Sequence, residues 1–193
     1  MTRHIAIVQG HPDPAGQHLL HAMAEAYAEA AAAAGHEVRR IDVAKLEFPL
    51  LRTQEDFETG ALPPDLEQAR EDMRWAEHWV FLLPLWHGTM PALLKGFIEH
   101  IFRPGFAMEY RKRGFPKRLL AGRSARIIVT MGMPVLLYRW YFGAYGVRSF
   151  ERSMLGFAGI KPIRESFYGL SFADEKKRAH WINDMREYGR RGG

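Results

Sequence analysis

The chain has 193 residues, 47% of them hydrophobic and 25% charged, which is the size and composition of one α/β domain with a full core. It contains no cysteine, so disulfides, thiolate catalysis and cysteine-ligated metal centres are excluded, and any redox chemistry must come from a bound cofactor. The formal charge of +5 gathers at Arg111-Lys112-Arg113, Lys117-Arg118, Lys176-Lys177-Arg178 and Arg190-Arg191. These clusters read as solvated surface first and as attraction for nucleotide phosphates second; no helix-turn-helix, finger or aromatic RNA-binding pattern accompanies them, so no nucleic-acid partner is expected.

Apolar runs alternate with helical patterns, the signature of crossover units on a parallel sheet. Ile5 to Val8 predicts the first strand, and the Ala-rich stretch from about His18 to Ala34, closed by Gly35, the first helix. Val38 to Val43 predicts a second strand with Ile41 and Val43 on one face. Asp65 to Ala76 follows Pro63-Pro64 as a helix, Trp79 to Leu83 is a third strand, and Pro91 to Phe102 a helix started by proline. Ala125 to Thr130 is the fourth strand, a helix is expected between about Tyr141 and Phe157, then a strand from Ile163 to Tyr168 and a last helix from Asp174 to about Tyr188. The connections Ala44–Asp65 and Arg103–Arg123 are long enough to form a lid or a dimer contact. No stretch reaches the roughly 18 apolar residues of a membrane span, and the first residues enter a strand without a leader pattern, so a cytoplasmic protein is expected.

Three loops carry unusual residues. The loop Gly10 to His18 has the place of a phosphate cradle, with Gly16-Gln17-His18 leading into a helix whose free N–H groups suit an anion. Pro84-Leu85-Trp86-His87-Gly88-Thr89 turns from a buried strand into the helix at Pro91 and offers an aromatic and an imidazole; the alternative is a core tryptophan and a surface turn. Thr130-Met131-Gly132-Met133-Pro134 offers a hydroxyl and a permissive backbone position, and its methionines either line an apolar pocket or fill gaps. The histidine pairs lack a third ligand at metal-binding spacing, so no metal is expected, and neither a Gly-x-Ser-x-Gly elbow nor a nucleoside-triphosphate loop is present.

With Gly10-His11-Pro12-Asp13-Pro14, Pro84-Leu85, Met90 to Gly96 and Gly105-Phe106-Ala107 in place, the stretch from about Arg3 to Tyr168 resembles the flavodoxin-like NAD(P)H dehydrogenase (quinone) family. The resemblance implies a three-layer α/β sandwich around a five-stranded parallel sheet of order 2-1-3-4-5, whose loops after strands one, three and four meet at the switch point. It further implies FMN or FAD held by His11, Gly16, Gln17, His18, Pro84, Leu85, Trp86, His87, Thr130, Met131, Gly132 and Met133. The hydroxyl residues usual in the family near the start of the first helix are replaced here by Ala15 and Gly16. NAD(P)H would deliver a hydride that passes on to a quinone or similar planar acceptor in a ping-pong cycle. Phe106, Met108 and Tyr110 match the stretch that lines the substrate pocket, often from the partner subunit of a homodimer. Tyr138 matches, by its spacing from Thr130, a tyrosine that accommodates charge beside the flavin; the histidine that would assist it falls at Ala144.

Phe97, Ile101, Phe102 and Phe106 exceed what one sheet face would use and are expected to support the dimer. A different reading is a regulatory subunit of a glutathione-gated potassium-efflux system, docked on its membrane transporter through basic loops such as Arg111 to Arg118. An electron-carrier flavodoxin fits poorly, because such carriers are typically acidic.

Overall fold

The structure is a computed structural model that describes residues 2–16, 18–172 and 174–193. Its central sheet joins β1 (His4–Gln9), β2 (Glu37–Asp42), β3 (His78–Pro84), β6 (Ser124–Met131) and β7 (Ile163–Gly169) in the order β2-β1-β3-β6-β7, every pair parallel. Counted along this sheet alone, that is the expected 2-1-3-4-5. A separate small hairpin pairs β4 (Met108–Glu109) with β5 (Lys117–Arg118).

Period-two alternation sorts the strand residues into two cores. Ala6, Val8, Trp79, Phe81, Leu83, Ile127 and Val129 face one side, where α3 (Pro64–Trp75), α4 (Ala92–Ile101) and the segment around α5 (Tyr145–Ser149) cover them. Ile5, Ile7, Val80, Leu82 and Ile128 face the other, under α1 (Leu19–Ala33) and α6 (Glu175–Arg191). Covering both faces is what allows strands as uniformly apolar as β1 and β3. β2 lies at the edge and keeps Arg39 and Arg40 toward solvent; its pairing stops at Asp42, one residue before the expected end, because Val43 begins a tight helical turn through Lys45.

Two connections hold more structure than the sequence announced. The 44–65 stretch contains α2 (Gln54–Glu58), opened by a reciprocal cap in which the Thr53 hydroxyl accepts from the Asp56 N–H and the Asp56 carboxylate accepts from the Thr53 N–H. The helix expected from about Tyr141 begins at Leu137 and is interrupted: Leu137–Tyr141 winds in wide turns, Gly143 and Ala144 take left-handed backbone at φ 64° and 50°, and α5 restarts at Tyr145 before further wide turns over Phe150–Gly156. Gly143 permits that break cheaply, whereas periodicity gave no sign of it.

Candidate functional site

Loop one leaves β1 through a chain of local bonds. The His11 N–H donates to Gln9 Oε1 at 3.1 Å, the Asp13 N–H to His11 Nδ1 at 3.1 Å, and the Ala15 N–H to Asp13 Oδ1 at 2.9 Å, while His18 Nε2 lies 2.6 Å from Asp13 Oδ2. Because His11 Nδ1 accepts a backbone hydrogen, the neutral imidazole carries its proton on Nε2 and keeps one donor for a ligand. His11 stacks on His18 at 4.0 Å, and His21 sits 5.2 Å from His11, so three imidazoles crowd the start of α1. Burial, helped by the neighbouring His18 and His21, pushes His11 down to about 4, and burial also lowers His21. The Nδ1 of His21 is buried with no hydrogen-bond partner among the described residues. Aimed at the amino end of a helix, this donor set fits a phosphate.

Loop two is tighter than a generic turn. After Pro84, the Leu85 N–H donates to Thr130 O at 2.8 Å, and Trp86 and Thr89 then exchange both backbone bonds, at 2.9 and 3.0 Å. His87 and Gly88 between them both have positive φ, 48° and 80°, which makes a two-residue hairpin of the primed type that glycine favours at the second place. The turn is clamped from behind. Tyr138 Oη donates to Gly88 O at 3.0 Å, and a side-chain carbon on Gly146 would lie 2.2 Å from the same oxygen, so α5 rests directly on the loop.

At the carboxyl end of the sheet the loops enclose a cavity of about 450 Å³ lined by His11, His18, Leu19, Leu20, Pro84, Leu85, Trp86, Thr130, Met131, Gly132, Ser171, Phe172 and Arg178. Eight of these were expected from sequence. Leu19 and Leu20, Ser171 and Phe172 after β7, and Arg178 of α6 were not; Arg178 belongs to a basic cluster that reads from sequence as solvated surface first and as attraction for nucleotide phosphates second. Two exposed rings, Trp86 and Phe172, stand among the lining residues, and Phe172 packs over Gly132, whose added side-chain carbon would meet its Cζ at 3.0 Å. A larger cavity of about 730 Å³ adjoins it through His11, His18, Leu19 and Arg178, and is lined further by Gly16, His21, Glu25, Arg40, Asp42 and Lys45.

Other expected positions lie elsewhere. Gly16 lines the larger cavity alone, and Gln17 is outside the described residues. His87 turns to an apolar pocket of about 460 Å³ on the far side of loop two, with Met90, Pro91 and Met154. Met133 packs against the core as filler, while Met131 is buried and reaches the cleft. Phe106 is buried and stacked on Trp79 at 6.4 Å, near the amino end of β3, roughly 16 Å along the strand from Pro84. Met108 and Tyr110 sit on or beside the same hairpin, so none of these three lines the cleft of its own chain. Phe97, Ile101, Phe102 and Phe106 are all spent on this chain's core and are not free to form an interface. Tyr138 is also buried; its hydroxyl is taken by Gly88 O and the Val147 N–H, at 3.0 and 3.4 Å, because the wide turns of its segment aim it at the back of loop two instead of at the cleft.

The profile of a family described as having a flavodoxin-like fold matches residues 3–189. The chain belongs to that flavodoxin-like family. A solved NAD(P)H:quinone oxidoreductase from Methanothermobacter marburgensis superposes with a TM-score of 0.82 at 25% identity, covering 100% of both chains. A ribosyldihydronicotinamide dehydrogenase-like protein of Penicillium crustosum is 28% identical over 66% of this chain and 57% of its own length. An FMN-dependent NADH:quinone oxidoreductase of Bordetella avium is 26% identical over 48% of this chain and 43% of its own. The flavodoxin-like chain thus spans about half the length of these two relatives. Among its described residues no helix is long and apolar enough to cross a membrane, and no three His, Asp or Glu side chains are placed so that they could hold a metal ion.

Proposed function

We propose that this protein is a flavin-dependent NAD(P)H oxidoreductase that reduces quinones or similar planar acceptors. The observation that carries the reading is the convergence of loops one, two and three on a single cleft at the switch point, with a phosphate-type donor set at one end and exposed rings at the rim. The residues fit the cofactor. His11, His18 and the first N–H groups of α1 would hold the phosphate; the backbone of Leu85, Trp86 and Gly132 would border the isoalloxazine; Trp86 and Phe172 would cover planar molecules. When bound, the flavin supplies hydride acceptance and donation. The chain contributes orientation, exclusion of water and fixed backbone dipoles, with His11, His18 and Arg178 as the ionisable groups on the cleft wall.

The larger adjoining cavity sets Arg40, Lys45 and Arg178 beside Glu25, Asp42 and Glu175, with Arg40 paired to Glu25 and Lys45 to Asp42, so it offers no net positive charge for a second phosphate; FMN, the flavin named for the Bordetella avium relative, is the cofactor favoured. NADH is the hydride donor named for the Bordetella avium relative, and it is the donor favoured here. A homodimer remains part of the reading, carried now by the exposed Tyr110 and Phe115 of the hairpin, which in a twofold pair would approach the cleft of a second copy. The relatives described above are named as oxidoreductases or dehydrogenases, and the transporter-subunit reading gains nothing from them.

The purified protein is expected to show bound flavin absorbance near ~450 nm, and chromatography of the released cofactor to return FMN. Initial rates with NAD(P)H at several fixed quinone concentrations should give parallel lines, since one cleft serves donor and acceptor in turn. A protein that takes up neither flavin overturns the reading.

A further inference from the structure

The segment between β6 and α5 presents an unusual surface. Leu136, Trp140, Tyr141 and Tyr145 are 70%, 83%, 78% and 74% exposed, and Leu137 and Phe142 add to the same stretch. Tyr141 and Phe142 touch edge to face at 4.9 Å. Arg139, Arg148 and Arg152 are also exposed, and Glu151 is the single acid between Pro134 and Phe157. Nothing among the described residues covers these rings, and none of them lines the cleft. The segment is nevertheless tied to the cleft, because Tyr138 and Gly146 hold it against the back of the loop that carries Trp86.

We propose that the Leu136–Tyr145 face is an interfacial docking surface for an anionic lipid bilayer, which places the cleft beside a source of lipid-soluble acceptors. Tryptophan and tyrosine favour the boundary between headgroups and acyl chains, where the ring is buried and the polar atom stays wet, and arginine among them pairs with anionic headgroups. Charge complementarity selects this occupant over a second copy. A twofold contact through the same face sets its three arginines against their own copies with Glu151 and the partly buried Glu165 of β7 on each side, which leaves the face net positive, whereas an anionic surface attracts all three. The face lies on the bilayer without crossing it. The docking follows from the surface alone; the lipid-soluble acceptor rests on the oxidoreductase reading.

The test is co-sedimentation of the full chain with vesicles of phosphatidylcholine alone and of phosphatidylcholine with phosphatidylglycerol, joined to quenching of tryptophan fluorescence by brominated lipid. Binding is expected only with phosphatidylglycerol, weakened roughly fivefold for each of Arg139→Ala and Arg148→Ala and at least about tenfold for Trp140→Ala with Tyr141→Ala. Trp140→Phe keeps the exposed apolar ring, folds as the parent does, and should bind while losing most of the quenching. Turnover of a water-soluble quinone should be the same in all these variants, so that lost docking and lost activity are read separately. No binding to either vesicle, binding untouched by the arginine and aromatic substitutions, or a dimer in light scattering that dissociates on Trp140→Ala with Tyr141→Ala would overturn the proposal; the last outcome would make the face a protein interface.

Discussion

The hydroxyl of Tyr138 donates to the carbonyl of Gly88 at 3.0 Å, joining the segment after β6 to the tip of the hairpin that borders the cleft. His87 and Gly88 both hold left-handed backbone there, and the bond from Tyr138 is one of the contacts that keep this turn in place. The tyrosine is therefore a positioning residue, acting on the cleft through Trp86 and its neighbours.

Tyr138→Phe removes a buried hydroxyl and leaves Gly88 O and the Val147 N–H without that partner. The expected cost is about 1 to 3 kcal/mol of stability, read as a lower midpoint in urea, with weaker flavin retention as the hairpin loosens. The rate of flavin reduction by NAD(P)H, measured on fully loaded protein, should change little. A large fall in that rate with unchanged stability would return the hydroxyl to the chemistry.

Gly146→Ala places a carbon 2.2 Å from Gly88 O, a distance that backbone atoms cannot accommodate without moving. It should push α5 off loop two and destabilise by at least about 2 kcal/mol, with loss of flavin during gel filtration. Ser153→Ala, at an exposed position on the following turns, is the control and should be silent.

Flavin affinity should depend on pH with a definite sign. His11 is held down to about 4 by burial and by His18 and His21, with Asp13 opposing, so it is neutral between pH 6 and 8 in the free protein. A phosphate dianion beside it favours the charged imidazole and raises its pKa, so binding takes up a proton and affinity increases as pH falls from 8 to 6, by up to about tenfold per unit for each proton taken up. Fluorescence titrations at the two pH values measure this, and His11→Asn should flatten the slope. A slope unchanged in His11→Asn would assign the proton to another imidazole.

Acid sensitivity of the fold should come partly from His78. It is buried, bonded through Nδ1 to Ser124 Oγ at 2.8 Å, and burial with Arg3, Arg126 and Arg164 nearby pushes it down to about 3. As pH drops through 6.5 the unfolded chain takes up the proton first, so the stability present above 6.5 is lost steadily until the folded pKa is reached, at about 1.4 kcal/mol per pH unit. Between pH 7.5 and 5 the loss from this residue is on the order of 2 kcal/mol, and the lowered His11 and His21 add in the same direction. Urea unfolding at the two values should show the fall, and His78→Gln should remove part of it.

Sequence alone determined the order of elements and the place of the three switch-point loops, because strand and helix periodicities and the Pro and Gly punctuation around Pro84, Gly88 and Pro91 are local signals. It did not determine which side of a loop each residue faces. His87 and Trp86 are neighbours, yet two consecutive left-handed residues send His87 to a different cavity. Nor did it assign surplus apolar residues: Phe97, Ile101, Phe102 and Phe106 looked like interface and are core, while Tyr141 looked like the start of a helix and is surface. Arg178 joined the cleft only through the packing of α6 against α1. Those outcomes depend on contacts between segments far apart in the chain, and the energy of such contacts is set by the packed arrangement, not by any pattern a single segment carries.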